Sequence, residues 1–513
     1  MGRRWIFWAA WILFFLYSFW MLDKFPVAFV DDVIFTEPSL TFLRQGHFGS
    51  TVMPPIYGLD QTNVVYGRIF FLINSAIFAL LGYNLFTIRL LPFMAGVWLF
   101  CLTYKMGRRL FNPPVACWAA TLLALSHNFF LASHIGRPDV LVACLVMLTS
   151  HLGLNAVESG KTRTFFWSAL TASLSLDTLP TGLVATALLG AIFLYHRQSC
   201  RRRAMLAATG GFLLGCLWWI SVHVLVNRQL YFFQWENFWI KEAGRGLTFL
   251  QYGPFAAIWG ETQRYVKYFW EARFHRNMLI FALLALSWIF LGYHARKNRG
   301  AKILLVLSFA GMLAQSSLAN KSSAYIISLL PFWMLALAAF LSNGDWMIDP
   351  KQTRLRLFKM AGLSALLLLG VMEHAYLWQY RHASYERYIN ALKEKLPRQA
   401  MVLAGAAFWP GLKDRSVISD YWLHSLHADG PQNRQKLGAN FAEFISKYSV
   451  THIVTDADAG WSIRKHPEHG YEEFFKTSCR LIAEIQDPFY GCTWASYRTT
   501  KKCVTKIYEV TGR

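Results

Sequence analysis

Apolar runs of up to about twenty residues, separated by short clusters of lysine and arginine, recur along the whole of this 513-residue chain. Residues 5–22, 88–106, 204–226 and 357–378 are examples. About 20 apolar residues is what an α-helix needs to cross the ~30 Å hydrocarbon core of a bilayer. The pattern therefore predicts a polytopic α-helical membrane protein. Charged residues make up 16% of the chain and hydrophobic ones 55%, whereas soluble chains carry roughly a quarter charged residues. The formal charge of +22 reads as loop bias rather than nucleic-acid binding, because the basic residues cluster between the apolar runs.

Those clusters set an orientation. Residues 105–109 (KMGRR), 161–163 (KTR), 197–203 (RQSCRRR), 296–302 and 351–359 are expected to face the cytoplasm, together with Arg3 and Arg4. Alternating the spans to satisfy this bias gives about eleven, with the N-terminus inside and the C-terminus outside. Residues 5–22 read as a retained first span, since no small-residue cleavage site follows them. Residues 64–83 cannot be a full span without putting KMGRR outside, so they read as a helix lying along the outer surface. Two parts follow: a membrane domain over 1–378, with a long first outer loop at 23–87, and an extracytoplasmic α/β domain over 379–513. Strands are expected at 401–404, 450–455, 481–485 and 504–510, and a helix near 442–447. Cys101, Cys117, Cys144, Cys200 and Cys216 read as packing residues. Cys479, Cys492 and Cys503 lie in the polar tail, where one disulfide and one spare thiol are compatible with an outside location.

The outer loops hold the candidate chemistry. Asp31 and Asp32 follow the first span; adjacent carboxylates there can ligate a divalent cation, supply a general base, or simply end a helix in water. Gly136-Arg137-Pro138-Asp139 opens another span; Asp139 can cap the helix and Arg137 can meet lipid head groups, or the two can face the acidic pair. Arg68, Lys241, Arg245, Arg264, Lys267 and Lys321 are outer cations running against the inside bias, able to hold a lipid-linked phosphate.

In this order the pieces resemble the GT-C glycosyltransferases, particularly the protein O-mannosyltransferases and the bacterial aminoarabinose lipid A transferases. The resemblance begins at Asp31-Asp32-Val-Ile-Phe-Thr-Glu-Pro. It continues through Met53-Pro54-Pro55-Ile56-Tyr57, Leu81-Gly82-Tyr83-Asn84-Leu85 up to Pro92, Arg137-Pro138-Asp139, and Lys321 through Tyr325 to Pro331. It covers most of the membrane region and matches the tail only in position and type. The departures are Asp-Asp in place of Asp-Glu, Met53 where relatives often carry Lys or His, and Asp177-Thr178-Leu179-Pro180 where many have a Lys-Gly-Pro turn.

The resemblance implies inverting transfer of a sugar from a polyprenyl-phosphate donor to a glycan, lipid or protein acceptor on the outer face of a membrane, with a bacterial inner membrane expected. It implies Asp31 as general base and Asp32 as its support. Asp32 and Asp139 are the candidate ligands of an optional Mg²⁺ or Mn²⁺, and Arg137, Asp139, Lys321, Tyr57, Tyr325 and Arg245 are the candidate substrate contacts. A transporter or flippase of a lipid-linked substrate is the alternative. It calls for charged or broken segments near the bilayer midplane, and the spans here hold few charges, Asp177 chief among them.

Overall fold

Without water to compete for backbone hydrogen bonds, an apolar run closes its own N–H···O=C ladder, and the runs of this chain do so as helices. The computed structural model describes residues 2–53, 55–64, 66–237, 248–271, 278–318, 322–342, 353–420, 423, 437–438, 440–456, 470–491 and 504–512. The helices are α1 (Gly2–Trp20), α2 (Val30–Ile34), α3 (Glu37–Gln45), α4 (Arg68–Leu81), α5 (Leu85–Leu110), α6 (Pro113–Ala124) and α7 (His127–Ser133). They continue with α8 (Asp139–Ser159), α9 (Thr162–Thr178), α10 (Leu183–Tyr195), α11 (Arg202–Trp219), α12 (Arg228–Phe233) and α13 (Thr248–Glu271). Next come α14 (Met278–His294), α15 (Arg299–Ser316), α16 (Leu330–Leu341), α17 (Thr353–Leu377) and α18 (Tyr385–Lys395).

Among the described residues, four helical stretches are long and apolar enough to cross a membrane: Leu85–Leu110, Asp139–Ser159, Arg202–Val224 and Leu357–Lys395. The bent pair α6 and α7, broken by 66°, makes a fifth. The chain is an integral membrane protein. Five further apolar helices have 10–17 residues, a reach of roughly 15–25 Å at 1.5 Å per residue. By length and composition alone, the described helices do not fix the count of about eleven spans expected from the basic loops. Within the run 64–83 the chain forms the helix α4. It buries Arg68, Phe70, Phe71, Asn74, Ser75 and Phe78, and exposes Leu72, Ile73, Leu80 and Leu81.

Glycines set the closest helix packing. A Cβ at Gly211 of α11 would stand 2.2 Å from the Phe166 carbonyl oxygen of α9, and one at Gly215 would stand 1.9 Å from Ser173 Oγ. Small residues on one face let two backbones approach this closely, as membrane bundles commonly require.

The C-terminal residues form a five-stranded sheet of order β2-β1-β3-β5-β4, from β1 (Met401–Ala404), β2 (Ser416–Ser419), β3 (His452–Thr455), β4 (Cys479–Gln486) and β5 (Val504–Val510). β1 runs parallel to β2 and β3, while β5 is antiparallel to β3 and β4. α19 (Trp409–Leu412) precedes β2, α20 (Phe441–Lys447) precedes β3, and α21 (Tyr471–Ser478) precedes β4. Four strands overlie the runs expected from sequence; β2, only four residues long, had no periodic signal. Cys479 is a free thiol in the structure, and Cys492 and Cys503 lie outside the described residues. The sheet region packs on the first loop, residues 23–87. Ser419 N–H donates to the Val52 carbonyl at 2.8 Å, and Lys413 Nζ donates to the Tyr83 carbonyl at 2.8 Å. One hydrophobic core runs across the junction at residue 378.

Candidate active site

The first loop leads from the end of α1 at Trp20 into the short helix α2 at Val30, which carries both Asp31 and Asp32. Successive residues on a helix are about 100° apart, so the two carboxylates leave α2 in different directions. The Asp32 side chain is 1% exposed. Its Oδ2 takes Arg89 Nη2 at 2.6 Å and the Phe29 N–H at 2.9 Å, while its Oδ1 takes Arg89 Nε at 3.2 Å and the Gly136 N–H at 2.6 Å. Arg89, itself wholly buried in the second turn of α5, also donates to the carbonyls of Leu22, Pro26 and Val27 at 2.9, 2.7 and 3.2 Å. This bidentate pair ties α2, the end of α1, α5 and the 134–138 loop to one point.

Asp31 faces the other way. Its Oδ2 pairs with Arg137 Nη1, and the side chain keeps 16% exposure. Oδ1 makes no hydrogen bond among the described residues. Arg137 also donates through Nε to Asp139 Oδ2 at 2.6 Å, and its guanidinium lies over the Phe35 ring at 5.2 Å. Burial works against the Arg137 charge. Asp139 and Asp31 together outweigh it and hold the pKa well above the usual arginine value. Asp139 opens α8 but makes no capping hydrogen bond; its side chain is spent on Arg137, and its Oδ1 is buried with no hydrogen-bond partner among the described residues. The cap role that Asp139 offered in the sequence is therefore not the one it takes.

Gly136 is what lets these parts meet. A Cβ there would stand 2.6 Å from Ile88 Cγ2, 3.1 Å from Asp32 Cα and 3.2 Å from the Asp32 carbonyl oxygen. Only glycine brings its N–H onto Asp32 at this separation. On the far side of α2, the Thr36 hydroxyl donates to the Asp32 carbonyl and lies 3.2 Å from Tyr83 Oη. The Tyr83 ring meets Trp409 edge-on at 5.3 Å, which joins the sheet region to α2.

The structure thus brings together three of the residues expected at the site, Asp31, Arg137 and Asp139, and directs Asp32 away from them. Asp32 does not fit the metal role given to it with Asp139: Arg89 and two backbone N–H groups already fill its acceptor positions. No group of three His, Cys, Asp or Glu side chains able to hold a metal gathers among the described residues. Tyr325 lies in the 3-10 turn Ser323–Ser328 and acts electrostatically on both Arg137 and Arg264. Arg264 of α13 pairs with Glu261 and donates to Gln315 Oε1 at 2.5 Å, and Gln315 Nε2 in turn donates to the Tyr325 carbonyl at 2.7 Å. Tyr57 is buried in the first loop with a left-handed φ of 53°. Lys321 and Arg245 lie outside the described residues. Arg89 carried no role in the sequence reading. An arginine at the fifth residue from the start of an apolar helix was its signal, because a cation there requires a partner.

Comparison with known proteins agrees with the expected resemblance. Residues 69–224 match the family profile of dolichyl-phosphate-mannose-protein mannosyltransferases. ArnT from Cupriavidus metallidurans bound to undecaprenyl phosphate superposes with a TM-score of 0.58 at 12% identity, covering 100% of both chains. The same enzyme in its apo state gives 0.59 at 14% identity, over 98% of this chain and 99% of that one. Archaeal oligosaccharyltransferase AglB from Archaeoglobus fulgidus, in complex with an inhibitory peptide and a dolichol-phosphate, gives 0.55 at 13% identity, over 89% of this chain and 70% of that one. No curated protein matches the sequence. The chain has the GT-C glycosyltransferase fold.

Proposed function

Starting from that fold, we propose that the protein transfers a sugar from a polyprenyl-phosphate donor to an acceptor hydroxyl or phosphate on the outer membrane face, with inversion at the anomeric carbon. The observation that carries this reading is the division of labour between adjacent carboxylates. Asp32 is sealed by Arg89, whereas Asp31 presents an unengaged oxygen at the accessible edge of the Arg137 cluster. An acceptor hydroxyl needs a base as it attacks, and the departing lipid phosphate needs positive charge. Asp31 Oδ1 takes the acceptor proton. Asp31 and Asp139 grip two edges of Arg137 and fix its plane, leaving Nη2 clear of both carboxylates. That nitrogen is the candidate donor to the leaving phosphate, with Arg264 and Tyr325 nearby and Lys321 and Arg245 as further cations. Tyr57 keeps its proposed place among the substrate contacts through the Pro-Pro-Ile-Tyr motif alone.

Asp32 becomes a positioning residue, and no step is routed through a metal. The apolar helices, the lipid phosphates bound by the ArnT and AglB structures, and the basic-loop orientation support a lipid-linked donor and an outward-facing sheet region. The eleven-span count and a bacterial inner membrane belong to the same proposal.

The test is transfer in proteoliposomes supplied with undecaprenyl-phosphate-linked sugars and an envelope extract as acceptor. Asp31→Asn and Asp31→Ala should lower the rate by roughly 10²-fold or more. Wild-type rates in both variants would remove Asp31 from the chemistry and the reading with it.

A further inference from the structure

Glu373 is a carboxylate standing near the outer end of α17, one of the helices apolar enough to span. Its side chain is 3% exposed and its Oε1 lies against Nδ1 of His127. A carboxylate in such a place is costly unless paired, and its partner is the clue to what it does. His127 is the first residue of α7, immediately after the 66° bend from α6. α7 ends at Ser133, and the chain runs directly into His134–Arg137, the segment that delivers the Gly136 N–H to Asp32 and the guanidinium to Asp31.

The other end of α7 has its own clamp. The His134 ring stacks on Phe130 at 3.9 Å, with Nδ1 2.7 Å from the Phe130 carbonyl and Nε2 3.0 Å from the Ser18 carbonyl of α1. His374, beside Glu373, sets its ring edge-on to the same Phe130 at 5.0 Å. α7 is therefore tied to α17 at its start and to α1 at its end.

We infer that the Glu373–His127 pair is a positioning device for the proposed transfer, setting the tilt of α7 and with it the placement of Arg137 over Asp31. Seven residues of helix extend roughly 10 Å, so a small rotation at His127 is carried to the loop at the far end. A misplacement of ~1 Å at a reacting group costs up to about 10²-fold in rate. Glu373 touches none of the reacting groups and acts only through α7. The inference rests on the reading of the 134–139 segment as part of the active site.

The test uses the full chain in nanodiscs, with Glu373→Gln, His127→Gln and the double variant. Amide hydrogen exchange over 127–139 should quicken several-fold in each single variant, with 401–419 unchanged, because the lost pair loosens α7 locally. In the transfer assay kcat should fall by about tenfold or more while the donor KM stays within about twofold. The double variant, whose two amides can hydrogen-bond to each other, should recover part of both. Unaltered exchange over 127–139 in the single variants overturns the inference. Faster exchange with normal transfer also overturns it, since the pair then holds the helix without positioning the site. If Glu373→Gln fails to fold, His127→Gln carries the test alone. Absence of transfer in the wild-type protein sinks the proposed function instead, and the exchange measurement still reads the clamp.

Discussion

Replacing Arg89 with methionine roughly keeps the volume of the side chain and removes the charge that pairs with Asp32 among the described residues. An uncompensated buried carboxylate costs about 3–5 kcal/mol, and thermal unfolding in detergent should register a loss of that order. Arg89→Lys should restore little of it, because a single ammonium cannot reproduce the fork that spans both oxygens and three carbonyls. Gly136→Ala should be costly for a different reason. Its methyl would have to displace Ile88 or the α2 backbone, overpacking worth about 1–3 kcal/mol, and the Gly136–Asp32 hydrogen bond would lengthen. Transfer should drop further than stability alone accounts for. Glu37 is the second buried carboxyl of this loop, after Asp32, and accepts from Thr51 N–H at 2.7 Å and from the hydroxyls of Thr51 and Thr41 at 2.8 and 3.0 Å. Burial raises its pKa above the ordinary value, although the bonds from Ser50, Thr51 and Thr41 pull it down. A raised acid pKa favours the protonated folded state, so this contribution is complete below the unfolded pKa and is lost as pH climbs through the folded one. Glu37→Gln, which mimics the protonated form, should therefore gain on the wild type as pH rises through that window in pH-resolved melting curves.

At the scale of elements, the site is built from short pieces braced by long ones. α2 has five residues and α7 has seven, too few to hold a helix unaided. α2 survives because the Asp32 carboxylate reaches back to accept the Phe29 N–H and because Arg89 of α5 anchors it from below. α11 lends its glycine face to α9. Gly211→Leu should prise these two apart, since even a Cβ meets the Phe166 backbone at 2.2 Å. The expected result is poor accumulation in the membrane, read by fluorescence-detected size exclusion. Gly210→Leu, next to it and with nothing within 4 Å of a built Cβ, should be tolerated.

Across the whole molecule, the sheet region and the membrane helices are one packed body joined at the first loop through Tyr83, Trp409, Lys413 and Ser419. A ligand that binds only the folded state stabilises it by RT ln(1 + [L]/Kd), about 2.7 kcal/mol at a hundredfold excess over Kd. Undecaprenyl phosphate should accordingly raise the melting temperature of the wild type, and Arg137→Ala should blunt that rise. The membrane class, the helix positions and the Asp31-Asp32 and Arg137-Pro138-Asp139 motifs were legible in the sequence because hydropathy and charge bias act locally along a chain. Four strands of the sheet were legible for the same reason. Which aspartate does what was not. Asp31 and Asp32 are chemically identical neighbours, and what separates them is an arginine 57 residues away in the chain and a glycine 104 residues away. The sequence by itself determined that the protein lives in a bilayer and carries acidic and basic groups in the loops between its apolar runs. Only the tertiary structure decided that Arg89 seals one carboxylate while Arg137 leaves the other open, because burial and partnership are properties of packing between distant segments.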